Sequence, residues 1–123
     1  MSGQSFPRSA RLLNEVDYKH VFDAATVKVS NAHALILARP TQGTDSRIGI
    51  IAAKKHIRLA VRRNRFKRLV REYFRTHPLN SQCDLVVLAR VQADRVDNAT
   101  LVASMDTLWK KLEPRLAAQQ VNR

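Results

Sequence analysis

One segment, residues 60–74, carries most of the information about fold class and surface chemistry. It reads Ala60-Val61-Arg62-Arg63-Asn64-Arg65-Phe66-Lys67-Arg68-Leu69-Val70-Arg71-Glu72-Tyr73-Phe74. Its apolar side chains recur at i, i+3, i+4, i+7 and i+8 from Phe66, which is the spacing of one buried stripe on an α-helix. Pro78 marks the expected exit, so the pattern predicts a helix over residues 57–76.

The opposite side of this helix is almost uniformly cationic. The basic residues between positions 54 and 75 are Lys54, Lys55, Arg58, Arg62, Arg63, Arg65, Lys67, Arg68, Arg71 and Arg75, and only Glu72 opposes them. At about 100° per residue, a row formed by Asn64, Arg68, Arg71 and Arg75 faces away from Phe66. Like charges at this spacing destabilise a helix, and guanidinium groups can grip two phosphate oxygens at once. We therefore expect an anionic ligand, with a merely solvated face or a membrane-surface helix as the alternatives.

The chain as a whole is strongly basic. Its 123 residues contain 22 Lys and Arg against 10 Asp and Glu, a formal net charge of +12. A domain with this charge repels itself unless a polyanion binds to it. Nucleic acid is the first candidate partner, and an acidic membrane surface or acidic protein is the second. Within the first class, a ribosomal or other structural-RNA protein and a DNA-binding helix protein remain alternatives.

The rest of the sequence predicts a small α+β domain. The expected first helix runs from a cap at Asn14 to about Ala24. Two strands are expected within residues 26–39, with a turn at Ser30-Asn31, and further strands at residues 47–53 and 84–90. The last helix is expected to be capped by Asn98 and to bend or end early at Pro114. This order predicts a two-layer sandwich in which helices pack against one sheet. We expect a single RNA-binding domain over residues 1–123, with flexible tails at about 1–10 and 118–123.

Several functional classes find no support in the sequence. Cys83 is the one cysteine, which we interpret as a small apolar residue in or beside a strand, as suits a reducing cytoplasm. No Cys/His cluster has the spacing of a zinc site, and the carboxylates are scattered, so we expect neither catalytic nor metal-binding residues in this chain. No signal peptide or membrane-spanning segment is apparent, which favours a cytoplasmic location.

Four blocks of sequence together resemble the ribonuclease P protein family. They are Ala60 to Glu72, centred on Arg63-Asn64-Arg65; Arg47-Ile48-Gly49-Ile50 followed by Lys54-Lys55; Tyr18-Lys19-His20-Val21-Phe22; and Asp84 to Arg90. They occur in the family's order and cover about residues 11–112. The resemblance implies the element order αβββαβα with a sheet of about four strands. It also implies a left-handed βαβ crossover of the ribosomal protein S5 domain 2-like type, against the usual right-handed rule.

The resemblance also implies a function and its residues. The chain would be the accessory protein subunit of an endoribonuclease whose RNA subunit performs the cleavage and binds most of the magnesium. The resemblance implies neither an obligate protein partner nor binding to a membrane. The residues expected to face the catalytic RNA are Arg62, Arg63, Asn64, Arg65, Lys67, Arg68, Arg71 and Arg75. A cleft with Tyr18, Phe22, Lys54 and Lys55 would hold the 5′ leader of precursor tRNA.

Physical reasoning leaves some of these assignments open. Tyr18 and Phe22 lie four residues apart, hence on one helix face, where each ring suits either base stacking or the core. His56 follows the paired lysines and is a candidate phosphate contact.

Overall fold

The computed structural model describes residue 11, residues 15–41 and residues 46–121. Its elements are α1 (Glu15–Ala24), β1 (Val27–Ser30), β2 (Ala34–Pro40), β3 (Arg47–Ile51), α2 (Ala60–Thr76), β4 (Cys83–Ala89), a 3-10 helix (Val91–Arg95) and α3 (Asn98–Val121). The α+β class and the predicted element order are confirmed. The predicted cap at Asn14 and the tail at residues 1–10 lie outside the described residues.

The four strands form one mixed sheet in the order β1-β2-β4-β3. β2 pairs antiparallel with both β1 and β4, whereas β3 pairs parallel with β4, with Arg47 opposite Asp84. Because β3 and β4 are parallel, α2 is the crossover that connects them. The left hand of this crossover stays a prediction from the family resemblance.

The main core lies between one face of the sheet and the two long helices. The stripe predicted for α2 is buried through Phe66, Val70, Tyr73 and Phe74. The buried α3 residues are Leu101, Met105, Leu108, Trp109, Leu112 and Leu116. From β4 the same core takes Cys83, which is 0% exposed, and burial raises the pKa of its thiol to about 12. This supports the prediction that Cys83 is an apolar strand residue, because such a thiol stays protonated and unreactive at neutral pH.

Of the elements that the structure describes, α1 is the one that packs on the opposite face of the sheet. Val21 of α1 packs on Val86 of β4, and the half-buried Tyr18, Leu37, Ile51 and Leu88 surround this pair. One short helix cannot cover a four-stranded sheet, and no other described element covers the part of this face beside α1. The sheet therefore has a second, smaller apolar cluster on the face that packs against α1.

The last helix differs from the sequence-based prediction at both ends. Its N-terminal cap is Asp97, whose carboxylate accepts the backbone N–H of Thr100 at 2.9 Å, which also holds the pKa of Asp97 below its usual value. The predicted cap, Asn98, is already helical. At the other end, α3 runs through Pro114 to Val121, so the predicted early end is wrong, and the predicted tail from about residue 118 begins inside the helix. The bend predicted as the alternative at Pro114 stays a prediction.

The physical reason for the longer helix is burial on both sides of the proline. Pro114 removes one helical hydrogen bond, because it has no N–H to donate to the carbonyl four residues earlier. Leu112 and Leu116 flank it, and both are 0% exposed in the main core. Burying a leucine contributes roughly 1.5–3 kcal/mol, so two of them offset the lost hydrogen bond.

Candidate nucleic-acid interface

The interface begins at one edge of the sheet, where three chain segments meet. β3 and β4 are parallel, so their carboxyl ends lie at the same edge. Lys54 and Lys55 follow β3 there, the 3-10 helix follows β4, and α2 begins beside them. We name the basic residues of this region the cationic edge; they are Lys54, Lys55, Arg58, Arg62, Arg63, Arg65, Arg90 and Arg95. The topology thus concentrates charges that the sequence spreads over 42 positions.

A tight turn presents the two lysines. The carbonyl of Ala53 accepts the backbone N–H groups of His56 at 3.0 Å and of Ile57 at 2.9 Å. Ile57 is 1% exposed and anchors the turn in the core, whereas Lys54 and Lys55 are exposed. His56 is half-buried, and its Nδ1 is enclosed without a hydrogen-bond partner. The His56 ring is therefore less exposed than the side chains of Lys54 and Lys55, and its contact with a phosphate stays a prediction.

Several arginines of α2 are tied to the protein. Arg62 donates to the Asp94 carbonyl at 2.8 Å and lies 3.3 Å from the Asp94 carboxylate. Arg63 donates to the carbonyls of Ile57 and Arg58 at 3.1 and 2.7 Å. These anchors orient guanidinium groups at the cationic edge before any ligand binds. Carbonyl oxygens are neutral, so most of the positive charge remains available.

Arg75 differs from the other arginines of the predicted row. It makes a two-pronged contact with Glu72, one turn earlier, and this contact lowers the pKa of Glu72 and raises that of Arg75. The Glu72 carboxylate therefore neutralises Arg75 locally. Its predicted RNA contact is untested, but the geometry makes it the weakest candidate in the row.

The middle of α2 presents cations without protein partners. Asn64 and Arg68 are exposed, and Lys67 and Arg71 are half-buried. Within the described part of the chain, none of these four side chains makes a hydrogen bond or an ion pair. We name this set, Asn64, Lys67, Arg68 and Arg71, the docking row. The first turn of α2 contains no acid, so the positive end of the helix dipole adds to the field of the neighbouring cationic edge.

A second surface lies on the open sheet face beside α1. The Tyr18 ring stands directly over Gly49 of β3, where a Cβ atom would lie 2.5 Å from Tyr18 Cε1. Any other residue at position 49 would overlap this ring, so glycine lets Tyr18 lie against the strand. Phe22, one turn later on the same side of α1, is 45% exposed. Tyr18 is thus partly a packing residue, whereas Phe22 is not a core residue. We name the open face beside these two rings the aromatic cleft.

A buried acid fixes α1 in this position. Asp84 of β4 is 3% exposed and accepts two hydrogen bonds from Arg47, at 3.0 and 2.8 Å. Arg47 in turn lies 3.7 Å from Asp17 of α1, and its bonds to Asp84 raise its pKa. Sequence reasoning missed this role of Asp84. The available signal was an aspartate within an apolar strand, because a buried acid almost always has a cationic partner.

Other kinds of site are not seen in the described residues. Over residues 15–41 and 46–121, no three His, Cys, Asp or Glu side chains come together in a way that could hold a metal ion. Among those same residues, no helix is both long enough and apolar enough to cross a bilayer.

The fold and the cationic edge define a small α+β protein built to bind a polyanion. The family profile described as Ribonuclease P matches residues 6–113. The ribonuclease P protein component of Chromohalobacter salexigens is 47% identical, covering 98% of this chain and 95% of its own length; that of Marinobacter nauticus is 44% identical, covering 94% and 87%. The chain therefore belongs to the ribonuclease P protein family.

Solved structures agree with this assignment. The ribonuclease P protein of Staphylococcus aureus superposes with a TM-score of 0.75 at 26% identity, covering 82% of this chain and 93% of that one. The Thermotoga maritima protein gives 0.69 at 30% identity, covering 81% and 96%. The predicted family, fold class and function are confirmed: the chain is of the kind that serves as an accessory protein subunit of the endoribonuclease that removes tRNA 5′ leaders, with RNA as its partner. This family assignment favours the ribonuclease P function over the structural-RNA and DNA-binding alternatives.

Proposed function

We propose that two separate surfaces of this protein bind two different RNAs. The docking row and the arginines of the cationic edge bind the catalytic RNA of ribonuclease P, and the aromatic cleft, together with Lys54 and Lys55, binds the single-stranded 5′ leader of precursor tRNA. One observation carries the proposal: unpartnered cations line α2 on one side of the sheet, and an exposed phenylalanine lies beside an open face on the other. Folded RNA offers phosphates to the first surface, and unstacked bases suit the second.

The two surfaces meet at the cationic edge. α1 lies over β2 and β4, with Asp17 near Arg47 at the start of β3 and Val21 on Val86 of β4. The apolar cluster under α1 also includes Ile51, the last residue of β3, and Lys54 and Lys55 follow Ile51 closely along the chain. A leader in the aromatic cleft would therefore pass these lysines as it approaches the catalytic RNA. This supports the assignment of Lys54 and Lys55 to the leader, because lysines neutralise the phosphates of single-stranded RNA without reading its bases.

Magnesium would be held by the RNA partner. This ion prefers carboxylate and phosphate oxygens in an octahedral arrangement, and the described carboxylates form no such group. Asp84 and Glu72 already accept hydrogen bonds from arginines. The described carboxylates thus offer no preformed group of ligands for magnesium. A cytoplasmic location stays a prediction.

The docking row is tested by removing two of its charges. We expect Arg68→Ala combined with Arg71→Ala to weaken binding to the catalytic RNA by about 10- to 30-fold at 0.15 M salt, as the loss of two phosphate contacts requires. Filter binding or fluorescence anisotropy with the catalytic RNA alone measures this.

The matched control removes two charges from α3. Lys110→Ala combined with Lys111→Ala changes the net charge equally, and neither side chain is buried. We expect a loss of at most about threefold, from the general field alone. Equal losses in the two double variants would show that the docking row is not a contact surface.

A further inference from the structure

A groove beside the docking row is lined mainly by arginine side chains. It lies between the first turns of α2 and the 3-10 helix, and its lining residues are Arg62, Arg65, Asp94, Arg95 and Val96. Three guanidinium groups thus face a space that contains one carboxylate. Sequence reasoning placed Arg62 and Arg65 among RNA contacts but did not single out Arg95, which lies 30 positions beyond Arg65.

The protein satisfies these arginines only in part. Arg65 donates to the Asn98 side chain at 2.9 Å and to the Ala93 carbonyl at 3.3 Å, both neutral acceptors, and its Nε is buried with no partner. Arg95 is exposed and makes no hydrogen bond or ion pair within the described residues. Asp97 also lies near Arg65, but its carboxylate caps α3. The groove therefore keeps a net positive charge.

Asp94 acts on Arg62 in two ways that can be separated. The Asp94 carbonyl accepts a hydrogen bond from Arg62 at 2.8 Å, and the carboxylate of the same residue lies 3.3 Å from the same nitrogen. The shorter bond belongs to the backbone, so it persists when the side chain is changed. The carboxylate occupies the place that an anionic oxygen of a ligand would take on Arg62.

We propose that this groove binds one backbone phosphate of RNA, held by Arg62, Arg65 and Arg95, and that the Asp94 carboxylate competes with this phosphate for Arg62. The inference rests on the proposed function, since it extends the docking surface of α2 onto the 3-10 helix. A phosphodiester fits because it is a compact anion with two free oxygens for several guanidinium groups. The phosphate belongs either to the catalytic RNA or to the leader of precursor tRNA.

The test uses three variants that each change one charge. Arg95→Ala is expected to weaken binding to the catalytic RNA by about fivefold at 0.15 M salt and to reduce the slope of log K against log salt by about 0.7–0.9. Lys110→Ala, the control with the same charge change on α3, should leave both quantities nearly unchanged. Asp94→Asn should tighten binding by about two- to fivefold, because it removes the competing charge and keeps the backbone bond to Arg62.

Each result has a definite meaning. If Arg95→Ala leaves binding to the catalytic RNA unchanged but lowers the preference for precursor over mature tRNA, the phosphate comes from the leader. The proposal is overturned if Arg95→Ala matches Lys110→Ala in both assays, or if Asp94→Asn weakens binding while its thermal unfolding midpoint equals that of the parent chain. If the Arg68 and Arg71 double variant still weakens binding in that case, the groove alone fails and the proposed function stands.

Discussion

Affinity for the catalytic RNA is expected to fall by about 2,000-fold when monovalent salt rises from 50 to 200 mM. The physical reason is counterion release, which lowers log K by about 0.7–0.9 per neutralised phosphate for each tenfold rise in salt. Among the described residues, the docking row and the arginines of the cationic edge together present nine cations, which suffice for about seven such contacts. The expected slope of log K against log salt is therefore roughly −5 to −6.

A titration of protein into labelled catalytic RNA at four or five salt concentrations gives this slope directly. The chain offers an internal reference, because variants of the docking row should flatten the slope and the Lys110 and Lys111 double variant should not. A slope near −1 for the parent protein would mean that the concentrated charges of α2 do not contact phosphates.

The second large effect is expected at the aromatic cleft. Phe22→Ala should reduce the affinity of the reconstituted enzyme for precursor tRNA by roughly 5- to 150-fold, since a stacked base contributes about 1–3 kcal/mol. Affinity for mature tRNA, which has no leader, should stay the same. The preference of the parent enzyme for precursor over mature tRNA should therefore largely disappear. Equilibrium binding of both tRNAs to the holoenzyme, with calcium in place of magnesium to slow cleavage, measures the two affinities.

The same helix supplies the control for this variant. Val16 is 60% exposed on α1, so Val16→Ala removes apolar surface from the same element without removing a ring. Because Phe22 is 45% exposed, its replacement should lower stability only modestly, and thermal unfolding checks this. A preference that survives Phe22→Ala unchanged would place the leader elsewhere.

The sequence predicted those elements of the fold that depend on residues close together along the chain. The period of apolar residues predicted α2, although the helix begins at Ala60 and not at residue 57, because Ile57 is buried in the preceding turn. The turn predicted at Ser30-Asn31 lies one residue later, at residues 31–33, where the Asn31 side chain accepts the N–H groups of His33 and Ala34.

Features that depend on contacts between distant parts of the chain were not predictable from these sequence patterns. The helical wheel placed Arg75 in one row with Arg68 and Arg71, yet Arg75 is held by Glu72. The wheel also could not show that Arg62 and Arg65 are held by the 3-10 helix. The course of α3 at Pro114 was likewise open from the sequence, because the compensation for the lost hydrogen bond comes from burial of Leu112 and Leu116 in the core. Tertiary packing thus determined which cations remain free for a ligand.

Site-specific crosslinking tests most directly whether the two surfaces bind different RNAs. The photoreactive p-benzoyl-phenylalanine would replace Phe22 in one preparation and Arg68 in another, each assembled with catalytic RNA and precursor tRNA. We expect the group at position 22 to attach to the tRNA leader and the group at position 68 to attach to the catalytic RNA. Attachment of both positions to the same RNA, or of position 22 to mature tRNA sequence alone, would contradict the two-surface account.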